Sequence, residues 1–196
     1  GALVGREPQA DSIARSLRGE LAAIHAEACR EFAAPETVFL VLWTEPPQTA
    51  GGGTWMTTLL ETACLKNVFE DERIPWPTIG MESITARQPR FILTSRGGSI
   101  GKRLAEFRGK PGWRDLDAIK AGRVIEIPGD LFARAGPTLP AAARAIVADP
   151  TFLLCDELRS GHLVPLVLDQ PPFQFANAYA VYAPGRHVPA KVRRFI

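Results

Sequence analysis

A chain of 196 residues with 46% hydrophobic and 22% charged side chains has the composition of a folded domain and excludes a disordered one. Its 23 Lys and Arg against 21 Asp and Glu leave a net charge of +2, which gives no electrostatic footprint for nucleic acid. No apolar run reaches the ~18 residues of a membrane span, and Gly1–Ala34, carrying Arg6, Asp11, Arg15, Arg18, Glu20 and Glu27, does not read as a secretory leader.

The first element is a long helix. Ile13, Leu17, Leu21, Ile24, Ala28 and Phe32 step by threes and fours into one apolar stripe, with Asp11 and Ser12 as caps and Pro35 beyond its end. Val38–Trp43 is a continuous apolar run, the pattern of a strand buried on both faces in a parallel sheet. Residues 45–53 form a loop at its C-terminal end, and Thr54 caps a helix whose apolar positions are Met56, Leu59, Leu60 and Ala63. Turn formers dominate Asn67–Gly80. A short helix over Met81–Arg87 precedes a second buried strand, Phe91–Ser95. Then come an amphipathic segment, Ile100–Arg108, a helix over Trp113–Ala121, a third strand over Arg123–Pro128, a loop over Gly129–Pro140 and a helix over Ala141–Val147. This alternation predicts a three-layer α/β/α fold with a mostly parallel sheet. Phe39, Leu40, Val41, Phe91, Ile92, Val124 and Ile125 are the expected central-strand residues.

The pattern changes after Pro150. Phe152–Leu158 reads as a helix, Leu163–Leu168 as an edge strand interrupted by Pro165, and Asn177–Ala183 as a further strand. The expectation is an antiparallel edge added to the same sheet by residues 150–196.

Catalytic constellations are nearly absent. There is no nucleophile elbow, phosphate loop or zinc-protease helix, and His25, His162 and His187 read as lone surface histidines. Cys29, Cys64 and Cys155 are far apart, odd in number and set in apolar contexts. With no Cys-x-x-Cys or Cys/His ligand spacing they read as three buried free thiols, not as a metal site. Gly51-Gly-Gly53 reads as a flexible hinge or mouth loop. What remains are aromatics at or beyond strand ends, where open α/β sheets bind ligands: Trp43, Trp55, Trp76 and Phe132. Trp43 and Trp55 read as plugs at the end of the core. Trp76, between Pro75 and Pro77, reads as held proud of the surface and facing a ligand.

Asn67-Val-Phe69, Trp76-Pro-Thr-Ile-Gly-Met-Glu82, Ala86-Arg-Gln-Pro89, the stretch from Trp113 to Val124 and Asp130-Leu-Phe-Ala-Arg-Ala-Gly-Pro137 stand in an order and spacing that resembles one family. Residues 1–149 resemble the second lobe of the cluster III, helical-backbone substrate-binding proteins of ABC transporters. These are receptors for vitamin B12, haem and iron–siderophores, and the likeness is greatest to the B12-binding members. The resemblance implies that helix 10–33 joins two lobes and that the first lobe has no counterpart here. It further implies that Trp76 contacts a corrinoid and that Asp130, Phe132 and Arg134 form the last ligand loop. Gln48 falls where the family has an aromatic contact. Glu82 matches the carboxylate that docks on the permease. Residues 150–196 instead resemble the C-terminal end of the effector-binding domain of LysR-type regulators.

The resulting expectation is a non-enzymatic receptor lobe for a corrinoid, haem or ferric siderophore, needing no cofactor or metal, partnered by an ABC permease and periplasmic. With half of an interlobe cleft it should bind weakly unless two copies face each other. A cytoplasmic effector-binding or dimerising module of a LysR-type regulator is the second reading, and a recombined chimera without evolved function the third.

Overall fold

The apolar run after Pro35 sits at the centre of the molecule. In the computed structural model, which describes residues 2–30, 34–96, 102–132 and 134–148, β1 (Glu36–Val41) pairs in parallel on both sides. On one side lies β4 (Leu65–Asn67), in register Glu36 to Leu65. On the other lies β5 (Phe91–Arg96), in register Val38 to Phe91. Beyond β5 runs β6 (Val124–Pro128), with Ile92 opposite Val124, so the sheet order is β4-β1-β5-β6 and every pairing is parallel. All seven expected central-strand residues are buried.

Strand side chains alternate between faces, and the helices sort accordingly. Phe39, Val41, Ile92 and Val124 face a cluster built from Ile84 of α3 (Met81–Arg87), Phe107 of α4 (Lys102–Gly109), Trp113 in a 3-10 turn (Trp113–Asp115) and Ile119 of α5 (Asp117–Lys120). Aromatic packing organises this layer: Phe107 and Trp113 stack at 4.7 Å, and Phe39 meets Phe69 edge-on at 5.5 Å. Val38, Leu40, Leu93 and Ile125 face the other way. There α1 (Glu7–Ala28), α2 (Trp55–Thr62) and α7 (Leu139–Val147) pack on one another, burying Ile24, Leu60 and Ile146.

Several boundaries differ from the sequence pattern for physical reasons. Helix α1 starts at Glu7, not at residue 10, because Pro8 occupies its first turn, where a missing N–H costs nothing. It ends at Ala28, and among the described residues of its stripe only Ile24 and Ala28 are buried. The expected helix over Trp113–Ala121 is split: Leu116 is extended (ψ 133°), and its buried side chain separates the 3-10 turn from α5. The loop after β6 holds a short helix, α6 (Gly129–Phe132). Edge strand β4, with Lys66 exposed between two buried residues, has no counterpart in the sequence pattern; its last residue, Asn67, opens the stretch that reads as turns. Residues 150–196, with the expected antiparallel edge and Cys155, lie outside the described residues.

The cysteine reading is corrected outright. Cys29 and Cys64 form a disulfide, with Cα atoms 5.2 Å apart across a sequence separation of 35. The bond joins the C-terminal ends of α1 and α2. Cys64 follows α2 in the left-handed region (φ 57°), the position that usually falls to glycine. His25, one turn before Cys29, places Nδ1 2.8 Å from the Glu61 carbonyl oxygen and ties the same two helix ends. Nothing in the spacing of the cysteines announces this pairing, because it depends on how two helices pack.

Two outcomes follow for stability. Ile92→Ala, in the central strand, should lower unfolding free energy by about 2–5 kcal/mol in urea titration, and an unchanged midpoint would remove Ile92 from the core. Cys29→Ser should cost about 2–4 kcal/mol, since closing a loop of 35 residues constrains the unfolded chain by that order. Equal melting with and without dithiothreitol would show that the bond is absent in solution.

Candidate functional site

The four parallel strands present their C-terminal ends along one edge. At the end of β1 the chain bends at Leu42 and makes a small hairpin, β2 (Trp43–Thr44) and β3 (Pro47–Gln48), with Trp43 opposite Gln48. The Leu42 N–H donates to the Gln48 carbonyl at 2.9 Å, and Trp43 Nε1 donates to the Glu45 carbonyl at 3.0 Å. Lys110, just past α4, braces the hairpin by donating to Thr44 Oγ1 at 3.1 Å while pairing with Glu106 and Glu45. Burial pushes the Glu106 carboxyl up, but hydrogen bonds and charge from Lys110 and Arg103 outweigh it and hold its pKa below the ordinary value.

A second strip of chain is laced onto this hairpin. Ile79 N–H donates to the Pro47 carbonyl, Thr49 N–H to Pro77, Gly51 N–H to Pro75 and Gly52 N–H to Glu72, all between 2.8 and 3.1 Å. The approach is so close that a Cβ at Gly51 would sit 2.2 Å from the Ile74 oxygen, and one at Gly52 2.1 Å from the Glu70 oxygen. Gly51 and Gly52 are therefore a packing seam with both amides engaged, not the expected hinge.

Two side-chain groups hold the seam from beneath. Asn67, 1% exposed, donates from Nδ2 to the Ala50 carbonyl at 2.8 Å and to Thr57 Oγ1 at 3.1 Å, while its Oδ1 accepts from Phe69 N–H at 3.0 Å. Thr57 in turn donates to the Gly51 carbonyl. Asp71 meets Arg87 in a bidentate pair at 2.6 and 2.9 Å, and Arg87 also bonds the Val68 carbonyl and lies over the Phe69 ring at 4.4 Å. The Arg87 hydrogen bond holds the Asp71 carboxyl below the usual carboxylate range.

Side chains alternate from Trp76 to Ile79: Pro77 and Ile79 are buried, while Trp76 and Thr78 are exposed. Ile74 and Pro75, in the bend before them, are both exposed. Gln48 forms a bridge with Thr78, and its Nε2 lies 3.5 Å from the Trp76 carbonyl oxygen. Two of the expected ligand residues, Gln48 and Trp76, are thus brought together, with Trp76 42% exposed. Trp43, expected as a core plug, is 64% exposed beside Gln48. Sequence did carry a signal for it: Glu45-Pro46-Pro47 forces a turn, so Trp43 could not continue β1 into the core. Trp55 is half-buried at the start of α2.

The loop expected to contact a ligand, after β6, lies along the same edge. Asp130 in α6 and Arg134 beyond it are exposed and follow β6, two strands from β1 and so on the order of 10 Å away. Phe132 contributes its backbone to α6. Glu82 is exposed in the first turn of α3, where a carboxylate complements the helix dipole. Among the described residues no group of three or more His, Cys, Asp or Glu could hold a metal ion.

Comparison with known proteins agrees with this architecture. A family model described as periplasmic binding protein matches residues 1–131. The vitamin B12-binding protein of Salmonella typhimurium is 33% identical over 139 residues, covering 70% of this chain and 48% of that protein. The chain therefore spans about half the length of the curated relatives it matches. Among solved structures, a possible iron-binding periplasmic solute-binding protein from Staphylococcus epidermidis superposes with a TM-score of 0.66 at 25% identity, covering 75% of this chain and 57% of that one. The periplasmic vitamin B12-binding protein of Vibrio cholerae shares the fold, with a TM-score of 0.60 at 20% identity, covering 78% and 57%.

Asn67→Ala should strand the Ala50 carbonyl and the Phe69 N–H inside the protein and remove one of the Thr57 hydroxyl's partners. The expected loss is about 2–4 kcal/mol, read by thermal melting. A loss below about 0.5 kcal/mol would show that the seam holds without the amide.

Proposed function

The chain belongs to the periplasmic binding protein family, and from that premise we propose that it is the ligand-binding lobe of an ABC-transporter receptor for a corrinoid, haem or iron–siderophore. The observation that carries this reading is Trp76. Its ring stands exposed at the C-terminal edge of the parallel sheet, on a strip whose backbone is fixed on both sides by Pro75 and Pro77. Gln48 beside it, with Asp130 and Arg134 along the same edge, supplies polar groups for a ligand's periphery. The names of the similar B12-binding proteins favour the same ligand class.

A periplasmic setting agrees with the Cys29–Cys64 disulfide, since such bonds persist in oxidising compartments. No helix among the described residues is long and apolar enough to cross a membrane. The permease would dock at Glu82, whose exposed carboxylate suits an arginine. This lobe by itself offers one wall of a cleft and contacts a ligand on one side, so immobilisation is poorly offset and the lobe alone binds weakly. The regulator reading rests on the sequence of residues 150–196 alone.

Titration of the full chain with cyanocobalamin, haemin and a ferric trihydroxamate, followed by tryptophan fluorescence and calorimetry, tests the reading. One of the three should quench fluorescence with a Kd in the micromolar range or weaker. Trp76→Ala should abolish that binding and leave Tm within about two degrees, because an exposed ring adds little to the core. Absence of binding by all three at millimolar concentration would overturn the receptor reading, and an unfolded Trp76→Ala chain would make the ring a core residue.

A further inference from the structure

The hairpin register puts a second aromatic on the face that carries Trp76. Trp43 lies directly opposite Gln48, so their side chains project from the same face of the hairpin. Gln48 in turn bridges Thr78, which carries that face onto the neighbouring strip, and Trp76 lies two residues from Thr78 on the same side. Trp43, Gln48 and Thr78 therefore form a row across three adjacent segments, with Trp76 continuing that face along the third and Ile74 exposed in the bend just before it. At normal strand spacing Trp43 and Trp76 stand on the order of 10 Å apart, with Gln48 between them.

The two rings are differently secured, and both remain accessible. Trp43 is anchored by the Nε1 hydrogen bond to the Glu45 carbonyl, and its hairpin is braced by Lys110, yet the side chain is 64% exposed. Ile74, in the bend before Trp76, is 62% exposed. Trp43 and Ile74 are large apolar groups fixed at an edge with no covering side chain in the hairpin or strip. That is a costly arrangement unless something flat lies across it.

We propose that Trp43 is a ligand-binding residue that shares with Trp76 one face of a planar, largely apolar macrocycle, with Gln48 meeting a polar substituent at its rim. This rests on the receptor reading and narrows it: corrin and porphyrin rings are broad and flat enough to contact both indoles at once. A ferric trihydroxamate is a globular complex with a polar surface and would cover one ring at most. Because the Trp43 ring is already immobilised by its own N–H bond, stacking on it freezes little further motion.

The test titrates the full chain and its Trp43→Ala, Trp43→Phe and Trp76→Ala variants with cyanocobalamin, haemin and a ferric trihydroxamate. Trp43→Ala should weaken binding of the preferred macrocycle roughly tenfold, as expected for loss of a ring contact. Trp43→Phe should stay within about threefold, and both variants should melt within about two degrees of the unaltered chain. Macrocycle binding unchanged in Trp43→Ala but lost in Trp76→Ala would overturn the assignment of Trp43 and leave the receptor reading standing. Preferred binding of the ferric trihydroxamate, insensitive to Trp43→Ala, would overturn the macrocycle and keep the receptor. Binding of none of the three overturns both. Affinity that falls in step with Tm in both Trp43 variants would make the ring a packing residue and also overturn it.

Discussion

A single buried amide holds together the loops at the C-terminal edge of the sheet. Asn67 closes the edge strand β4, and from there its side chain reaches the loop after the hairpin at Ala50, the first turn of α2 at Thr57 and the start of the next turn at Phe69. A buried amide so completely satisfied is rigid, because each alternative rotamer leaves donors and acceptors unpaired in a low-dielectric interior. The glycine seam, the strip that carries Trp76 and the hairpin that carries Trp43 are all layered above it. The orientation of the aromatic face therefore depends on a residue that contacts no ligand.

The sheet was legible from the sequence because its signal is strong and local. Val38–Val41, Phe91–Leu93 and Val124–Ile127 are short, mostly apolar runs close to Pro or Gly, and each became a strand of the sheet; β1 and β5 lie inside it, while β6, expected to be central, is last in the described order. Thr54 was legible as a cap for the same reason: its Oγ1 accepts from the Thr57 N–H, an interaction three residues long. What was not legible depends on long-range contact. β4 has only three residues and acquires strand geometry by pairing with β1. The disulfide joins helix ends that meet only when α1 and α2 pack. Gly51 and Gly52 look flexible in isolation but are held because another segment crosses them closely.

The candidate site divides along the same line. Trp76 could be placed near the strand ends from its flanking prolines and Gln48 only through the family resemblance, and the structure sets the two side by side. Trp43 was misplaced because its apolar neighbours suggested continuity with the strand, while the bend at Leu42 turns it outward. Asp130 and Arg134 share the edge because every strand in the sheet runs the same way, which brings the loops after β1 and β6 to one end. Parallel topology, more than any one motif, assembles the site.

The lacing of the strip has a consequence for how such a surface changes over time. Its bonds to the hairpin run between main-chain atoms, and its inward side chains, Pro77 and Ile79, belong to the interior. Positions 43, 48, 74, 76 and 78 carry almost none of that support. They can exchange one side chain for another while the scaffold beneath keeps its shape and stability. Ligand preference can then drift by single substitutions without passing through an unfolded intermediate, so the same backbone can serve as a starting surface for receptors of new specificity.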